Sequence, residues 1–371
     1  KAGGATYLTD MAAFNPIQPS AQWFGGKVLD RAREREMERR IHDLTNGGDP
    51  ERLAREIAEL CRPADSLNGF PSMAEMIADT LESITQACEH PGQITGLSTG
   101  LTDLDDVLDG LQAADMITIA ARPSTGKTAL ALVVAAHSAR QGRSVGFFSL
   151  EMSWKALNFR LLSAAANVNS IYLRSGRLSR DQLQTVREKG AEIASWPLHF
   201  RDNLKSITDI HAACRTMKQI HGLGLAVVDY MQLCHPPAGQ YGTREQEVSA
   251  ISREVKDIAH DLRVPVLALS QLSRESERRE KGVPKLSDLR DSGSIEQDSD
   301  VVILLHSPYR SQGTREQDGE DVTHLLELRV AKHRNGPLSE IDLMFGGNRI
   351  RFYSVDRKRD ETPGPAAALP N

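Results

Sequence analysis

The spacing of apolar positions changes near residue 91, and the change divides the chain. Residues 28–60 are rich in Arg, Glu, Leu and Ile and are interrupted by Gly47-Gly48-Asp49-Pro50, a pattern that predicts two helices joined as a hairpin. The charge-dense stretch 31–40 reads as a solvated helix face. After a polar break at 65–71, Ser72 opens a third helix, in which Met73, Ile77, Leu81 and Ile84 recur at spacings of three and four. That stripe fits either a connector that docks on another surface or a core helix of a flanking domain. Beyond Pro91, runs that are apolar throughout, at 116–120, 145–150, 225–228, 266–270 and 301–305, alternate with longer helical stretches. They predict an α/β fold with a mostly parallel sheet covered on both faces. Alternating runs at 325–331 and 341–352, the second around Gly346-Gly347-Asn348, predict an antiparallel addition with a hairpin turn.

The resulting organisation is a helical N-terminal portion over 1–65, expected to be incomplete, a linker with a helix over 66–92, an α/β domain over 93–355 and a disordered tail over 356–371. A length of 371 residues with 40% hydrophobic content is ample for a large core. The net charge of -5 excludes an overall basic coat, so nucleic acid would have to be met by a local patch or an oligomeric channel. Cys61, Cys88, Cys214 and Cys234 form no C-x-x-C pair, which fits neither a zinc ribbon nor a disulfide framework and favours a reducing cytosol. With no apolar stretch long enough to span a bilayer and no signal-peptide core at Lys1-Ala2-Gly3-Gly4, the expectation is a cytoplasmic chain without a membrane partner. The missing initiator Met predicts a start inside a longer protein.

Between the run at 116–120 and the helical pattern from Ala129 lies Ala121-Arg122-Pro123-Ser124-Thr125-Gly126-Lys127-Thr128, close to the phosphate loop G-x-x-x-x-G-K-S/T. A strand, tight loop and helix in this order aim backbone N–H groups and the positive helix end at a polyphosphate. Ser124, Thr125, Gly126, Lys127 and Thr128 are therefore the expected phosphate residues, with the Thr128 hydroxyl on a magnesium ion. Ala121 replaces the usual first glycine, so the backbone there must tolerate a Cβ. Ligands of an open parallel sheet sit at the carboxyl ends of its strands. Glu151, Asp229 and Gln271 each follow such a run. Asp229 suits support of the metal, Glu151 polarisation of an attacking water, and Gln271 sensing of a γ-phosphate. One Asp after a strand is more often a helix cap; three such residues together argue for a site.

Further segments follow in order: Phe148-Ser149-Leu150-Glu151-Met152, Val227-Val228-Asp229-Tyr230-Met231-Gln232-Leu233, Leu269-Ser270-Gln271-Leu272-Ser273-Arg274, Asp288-Leu289-Arg290-Asp291-Ser292-Gly293-Ser294-Ile295-Glu296-Gln297-Asp298 and Lys332-His333-Arg334-Asn335-Gly336-Pro337. Together with the phosphate loop they resemble the motif set of the DnaB family of replicative DNA helicases, bacterial or phage, whose motor is RecA-like. The likeness is strong over 93–355 and weaker over the preceding helices. It implies a homo-hexameric ring that uses ATP and Mg²⁺ at subunit interfaces, moves on single-stranded DNA and works with a primase and a helicase loader. It implies that Lys332 and Arg334 act on the neighbour's ATP; from spacing alone, Lys332-His333-Arg334 reads as a solvated turn.

Residues 274–290 read as a long mobile loop with Arg278, Arg279, Lys281, Lys285 and Arg290 among several acids. Without aromatic residues, phosphate tracking is expected rather than base stacking. The resemblance places DNA contacts at Arg290, Asp291 and Gly293; family members commonly carry Glu at the position of Asp291. Three other readings stay open: a filament-forming recombinase, a nucleotide-gated assembly platform and a small-molecule kinase. Unwinding of a forked duplex separates them.

Overall fold

The computed structural model describes residues 72–89, 92–239, 241–273, 282–308 and 323–355. The helical hairpin expected over 28–60, the break at 65–71, Cys61, residues 274–281 of the loop expected over 274–290 and the tail from 356 lie outside the described residues. Residues 1–89 and 90–371 separate into two compact units.

In the first unit, helix α1 (Met73–Glu89) begins where Ser72 can cap it. The Glu75 N–H donates to Ser72 Oγ at 3.2 Å while Glu75 Oε2 accepts from the Ser72 N–H at 2.7 Å, a reciprocal capping box. Along its apolar stripe, Met73 is 69% and Leu81 57% exposed.

The second unit is built on nine strands: β1 (Met116–Ala121), β2 (Ser144–Ser149), β3 (Leu198–Arg201), β4 (Leu223–Asp229), β5 (Val266–Gln271), β6 (Val301–His306), β7 (Thr323–His333), β8 (Ser339–Gly346) and β9 (Arg351–Ser354). They lie in the order β3-β2-β4-β5-β1-β6-β7-β8-β9. Neighbours from β3 to β6 are parallel, and β6 to β9 continue antiparallel. The helices are α2 (Thr102–Leu108), α3 (Lys127–Arg140), α4 (Trp154–Ala166), α5 (Ser170–Ser175), α6 (Arg180–Ala194), α7 (Ile207–His221), α8 (Arg244–Leu262) and α9 (Gly293–Asp298).

Alternation along the strands fills both faces. Ile117, Ile119, Phe147, Leu267 and Leu269 share one core with Leu130 and Val134 of α3 and Leu157 of α4. Met116, Ala120, Phe148, Val266 and Ala268 share the other with Ile210 of α7 and Ile251, Val255 and Ile258 of α8. Burying one such side chain stabilises the fold by about 1.5–3 kcal/mol. Both neighbours being buried explains why these strands read as uninterrupted apolar runs. In β7 only Leu326, Leu328 and Val330 join the first core, while Leu325, Glu327 and Arg329 stay half-buried, as its alternating sequence requires.

Two expectations change. The edge strand β3 carries no long apolar run and was not anticipated. The loop expected through Arg290 ends earlier: Leu286–Ser292 forms a 3-10 turn, because Leu289 is buried in the second core with Leu286 packed against it. Among the described residues, no helix is long and apolar enough to cross a membrane.

Candidate nucleotide site

Ala121 ends β1 in extended conformation, so its Cβ needs no special accommodation. The loop then turns through two left-handed residues, Ser124 (φ 63°) and Gly126 (φ 107°), and the second is glycine, the residue suited to that geometry. Gly126 is also the N-cap of α3 and brings no side chain to its first N–H groups, which leaves the positive helix end to an anion. Ser124, Gly126, Lys127 and Thr128 line a cleft of about 430 Å³. Thr125 is not among the lining residues: its side chain is buried and its N–H donates to Arg122 O at 3.3 Å.

Lys127 Nζ lies 4.2 Å from the centre of the Tyr230 ring. Burial pushes its ammonium's pKa down, against the charges of Asp229 and Glu151. A bound phosphate would add to the counter-charge that Asp229 and Glu151 supply. Thr128 Oγ1 donates to Asp229 Oδ2 at 2.9 Å. Asp229 is 0% exposed, and its other oxygen, Oδ1, has no hydrogen-bond partner among the described residues. Burial raises its carboxyl pKa, while Lys127 and then the Thr128 bond lower it. An orphaned carboxylate oxygen beside a threonine hydroxyl is a fit arrangement for a hydrated Mg²⁺, which Thr128 and Asp229 would hold together.

The strand register gathers the remaining groups. Ser149 of β2 pairs with Asp229, and Leu150 N–H donates to Asp229 O at 2.7 Å, so Glu151 emerges beside the Asp229 carboxylate. Ala121 pairs with Gln271, which sets Gln271 at the root of the phosphate loop. Gln232, in the 3-10 turn Met231–Leu233, brackets that position: its Oε1 accepts from Gln271 N–H at 3.2 Å and its Nε2 donates to Ser270 Oγ at 2.7 Å. Glu151 and Gln271 both face the cleft. Two arginines that sequence reasoning missed, Arg160 of α4 and Arg174 of α5, also line it. Burial first, then the Arg174 charge, lowers the Arg160 pKa. A single cation within the apolar helical stretch 156–162 was the available signal.

Lys332 and Arg334 are elsewhere. Antiparallel pairing sets Lys332 against Val302 and His333 against Val301, at the start of β6. Arg334 Nη1 donates to Asp300 Oδ1 at 3.0 Å, and Asp300 Oδ2 accepts from the N–H of Met116, the first residue of β1, at 2.8 Å. The phosphate loop leaves the other end of β1, roughly 17 Å away at about 3.3 Å per residue. Lys332 Nζ donates to the carbonyls of Glu296 at 2.5 Å and Gln297 at 3.2 Å, near the negative end of α9. Burial, then Arg334, lowers its pKa. This chain therefore keeps both cations away from its own cleft.

Of the expected DNA residues, Arg290 and Asp291 belong to the turn Leu286–Ser292, their side chains outside the description, and Gly293 opens α9 with open space where a Cβ would stand. The turn is tied to β5: Ser273 N–H donates to Asp288 O at 3.1 Å, two residues beyond Gln271.

Residues 96–354 match the family described as DnaB-like helicase C terminal domain. The chain is 34% identical to the replicative DNA helicase DnaC of Bacillus subtilis (strain 168), over 99% of this chain and 82% of that one. It is 35% identical to the replicative DNA helicase DnaB of Geobacillus stearothermophilus, with the same shares covered. Among solved structures, one described as an ATPase domain superposes with a TM-score of 0.71 at 32% identity, covering 78% of this chain and all of that one. A DnaB-like replicative helicase, solved in a study of its interactions with primase, gives 0.75 at 29% identity, covering 95% and 83%.

Proposed function

The chain belongs to the DnaB-like family of replicative DNA helicases, and from that membership we propose a homo-hexameric motor in which each ATP is bound by one subunit and hydrolysed with cations from the next. The observation that carries this is the split between the cleft at the carboxyl ends of β1, β2 and β5 and the Lys332–Arg334 pair at the amino ends of β1 and β6. A ring would bring the Lys332–Arg334 pair of one copy to the cleft of the next. ATP, with Mg²⁺, is the proposed fuel, and single-stranded DNA in the central channel the track. A primase and a loader are the proposed partners, and α1, with its apolar stripe, the linker helix of the ring.

Mg²⁺, when bound, neutralises charge on the transferring phosphoryl group. Backbone N–H groups of the loop and Lys127 hold the phosphates, and Thr128 and Asp229 hold the ion and its waters. Glu151 polarises the attacking water, and Gln271 reports the γ-phosphate through the Ser273–Asp288 contact to the turn bearing Arg290. Arg160 and Arg174 add positive charge along the cleft. Replacing Arg160 by Ala is expected to raise the KM for ATP about tenfold or more, the loss of one charge-assisted hydrogen bond; steady-state hydrolysis measures it.

Six copies of the Arg290 turn would form a ring of backbone contacts, Arg290 by charge and Gly293 by its N–H, with Asp291 beside them. Arg290→Ala is expected to reduce stimulation of hydrolysis by single-stranded DNA more than turnover without DNA; equal loss of both would remove the separate DNA role. The proposal as a whole is tested by unwinding of a forked duplex with ATP and Mg²⁺. Homologous pairing without displacement would favour the recombinase reading, and hydrolysis without unwinding the platform reading.

A further inference from the structure

The cation proposed to cross the subunit boundary rests on one buried carboxylate whose two oxygens have separate tasks. Asp300 is 3% exposed. Its Oδ2 accepts from the Met116 N–H at 2.8 Å and from Lys256 Nζ of α8 at 2.5 Å. Its Oδ1 accepts from Arg334 Nη1 at 3.0 Å. The backbone repeats the link, with Asp300 N–H on Met116 O and Arg334 N–H on Asp300 O, both at 2.9 Å. Lys256 is itself fixed by donation to Ala114 O at 3.0 Å. Asp300 cannot change rotamer without leaving both β1 and α8, so the oxygen it offers Arg334 is fixed in direction.

The turn after Arg334 adds a second restraint. A Cβ at Gly336 would run into the His333 ring, which folds over the turn with Nδ1 3.3 Å from Pro337 O. Arg334 is thus held at its backbone and along one side of its guanidinium, while its side chain remains 55% exposed. A long flexible cation placed this way reaches a facing phosphate with little left to order.

We propose that Asp300 is a positioning residue for hydrolysis between subunits: it presents Arg334 to the neighbour's nucleotide, and Lys256 keeps Asp300 in place. The inference rests on the reading of Arg334 given above. Asp300→Asn keeps an acceptor for the Met116 N–H but loses the charge that aligns the guanidinium. In the full chain with ATP, Mg²⁺ and single-stranded DNA, kcat is expected to fall about a hundredfold, the scale of a misplaced catalytic group, with nucleotide affinity unchanged. Rings mixed from Asp300→Asn and Lys127→Ala chains should recover turnover, because each Asp300→Asn cleft is intact and receives a well-placed Arg334 from a Lys127→Ala neighbour. Wild-type kcat, matched losses of affinity and turnover, or no recovery in mixed rings would each overturn the proposal. Should Asp300→Asn not fold, Lys256→Gln carries the test, with a smaller fall in kcat and the same recovery expected and an unaltered kcat overturning it. Arg334→Ala in the same assay separates the two ideas. If it keeps full turnover, the cross-subunit reading fails; if it loses turnover while the Asp300 and Lys256 variants do not, only the positioning role fails.

Discussion

Arg334→Ala is expected to lower ATP hydrolysis by about three to five decades, the range over which an arginine supplied from outside a phosphate site acts in GTPases. The size follows from where charge develops. The γ-phosphoryl group spreads negative charge over its oxygens at the transition state, and a fixed cation in a water-poor interface counters it without further reorganisation. Within one chain no such help comes from Arg334, which is tied to Asp300 at the far end of β1. Nucleotide affinity should change far less than turnover, since the chain's own Lys127, Thr128 and loop N–H groups provide binding. Mixing Arg334→Ala with Lys127→Ala chains should restore part of the activity, because one kind of subunit retains the cleft and the other the cation. Absence of recovery at every ratio would count against a shared site.

Glu151→Gln is expected to bind ATP and to hydrolyse it about a hundred- to ten-thousandfold more slowly, the usual contribution of a positioned general base. The change removes a charge with almost no change in shape. Glu151 is exposed on the cleft side of β2, attached through Leu150 to Asp229, and no part of the core depends on it. The result should therefore appear in kcat rather than in folding or assembly, measured by hydrolysis beside binding of a fluorescent ATP analogue. Turnover at the wild-type rate would remove Glu151 from the chemistry and return it to the solvated surface.

The groups that were legible in the sequence are those whose position follows from chain-local rules. A strand, loop and helix in succession located Lys127 and Thr128, and the ends of apolar runs located Glu151, Asp229 and Gln271, because parallel strands deliver their last residues to one crevice. What was not legible depends on contacts between distant segments. β3 is a four-residue edge strand beside Trp196 and Pro197, half-buried and lacking the continuous apolar run of its neighbours. Arg160 lies in a helix that also carries Lys155, and Arg174 in a six-residue helix; a cation in either carries no direction until the helices are packed. Asp300 looks like an ordinary acid ahead of a strand; its importance comes from Lys256, 44 residues earlier, and Arg334, 34 residues later. The turn at Leu286–Ser292 was hidden by its charged surroundings, which masked the two leucines that bury it. The sidedness of Lys332 and Arg334 needed the register of β6 with β7, which spacing alone does not supply.

The most direct test of hydrolysis across a subunit boundary is the specific rate per chain measured across a dilution series, with assembled mass followed in the same samples. Activity that tracks the assembled fraction and vanishes with it is the predicted result. Full specific activity in samples containing only single chains would contradict it, because a chain alone leaves Arg334 at the wrong end of its own sheet.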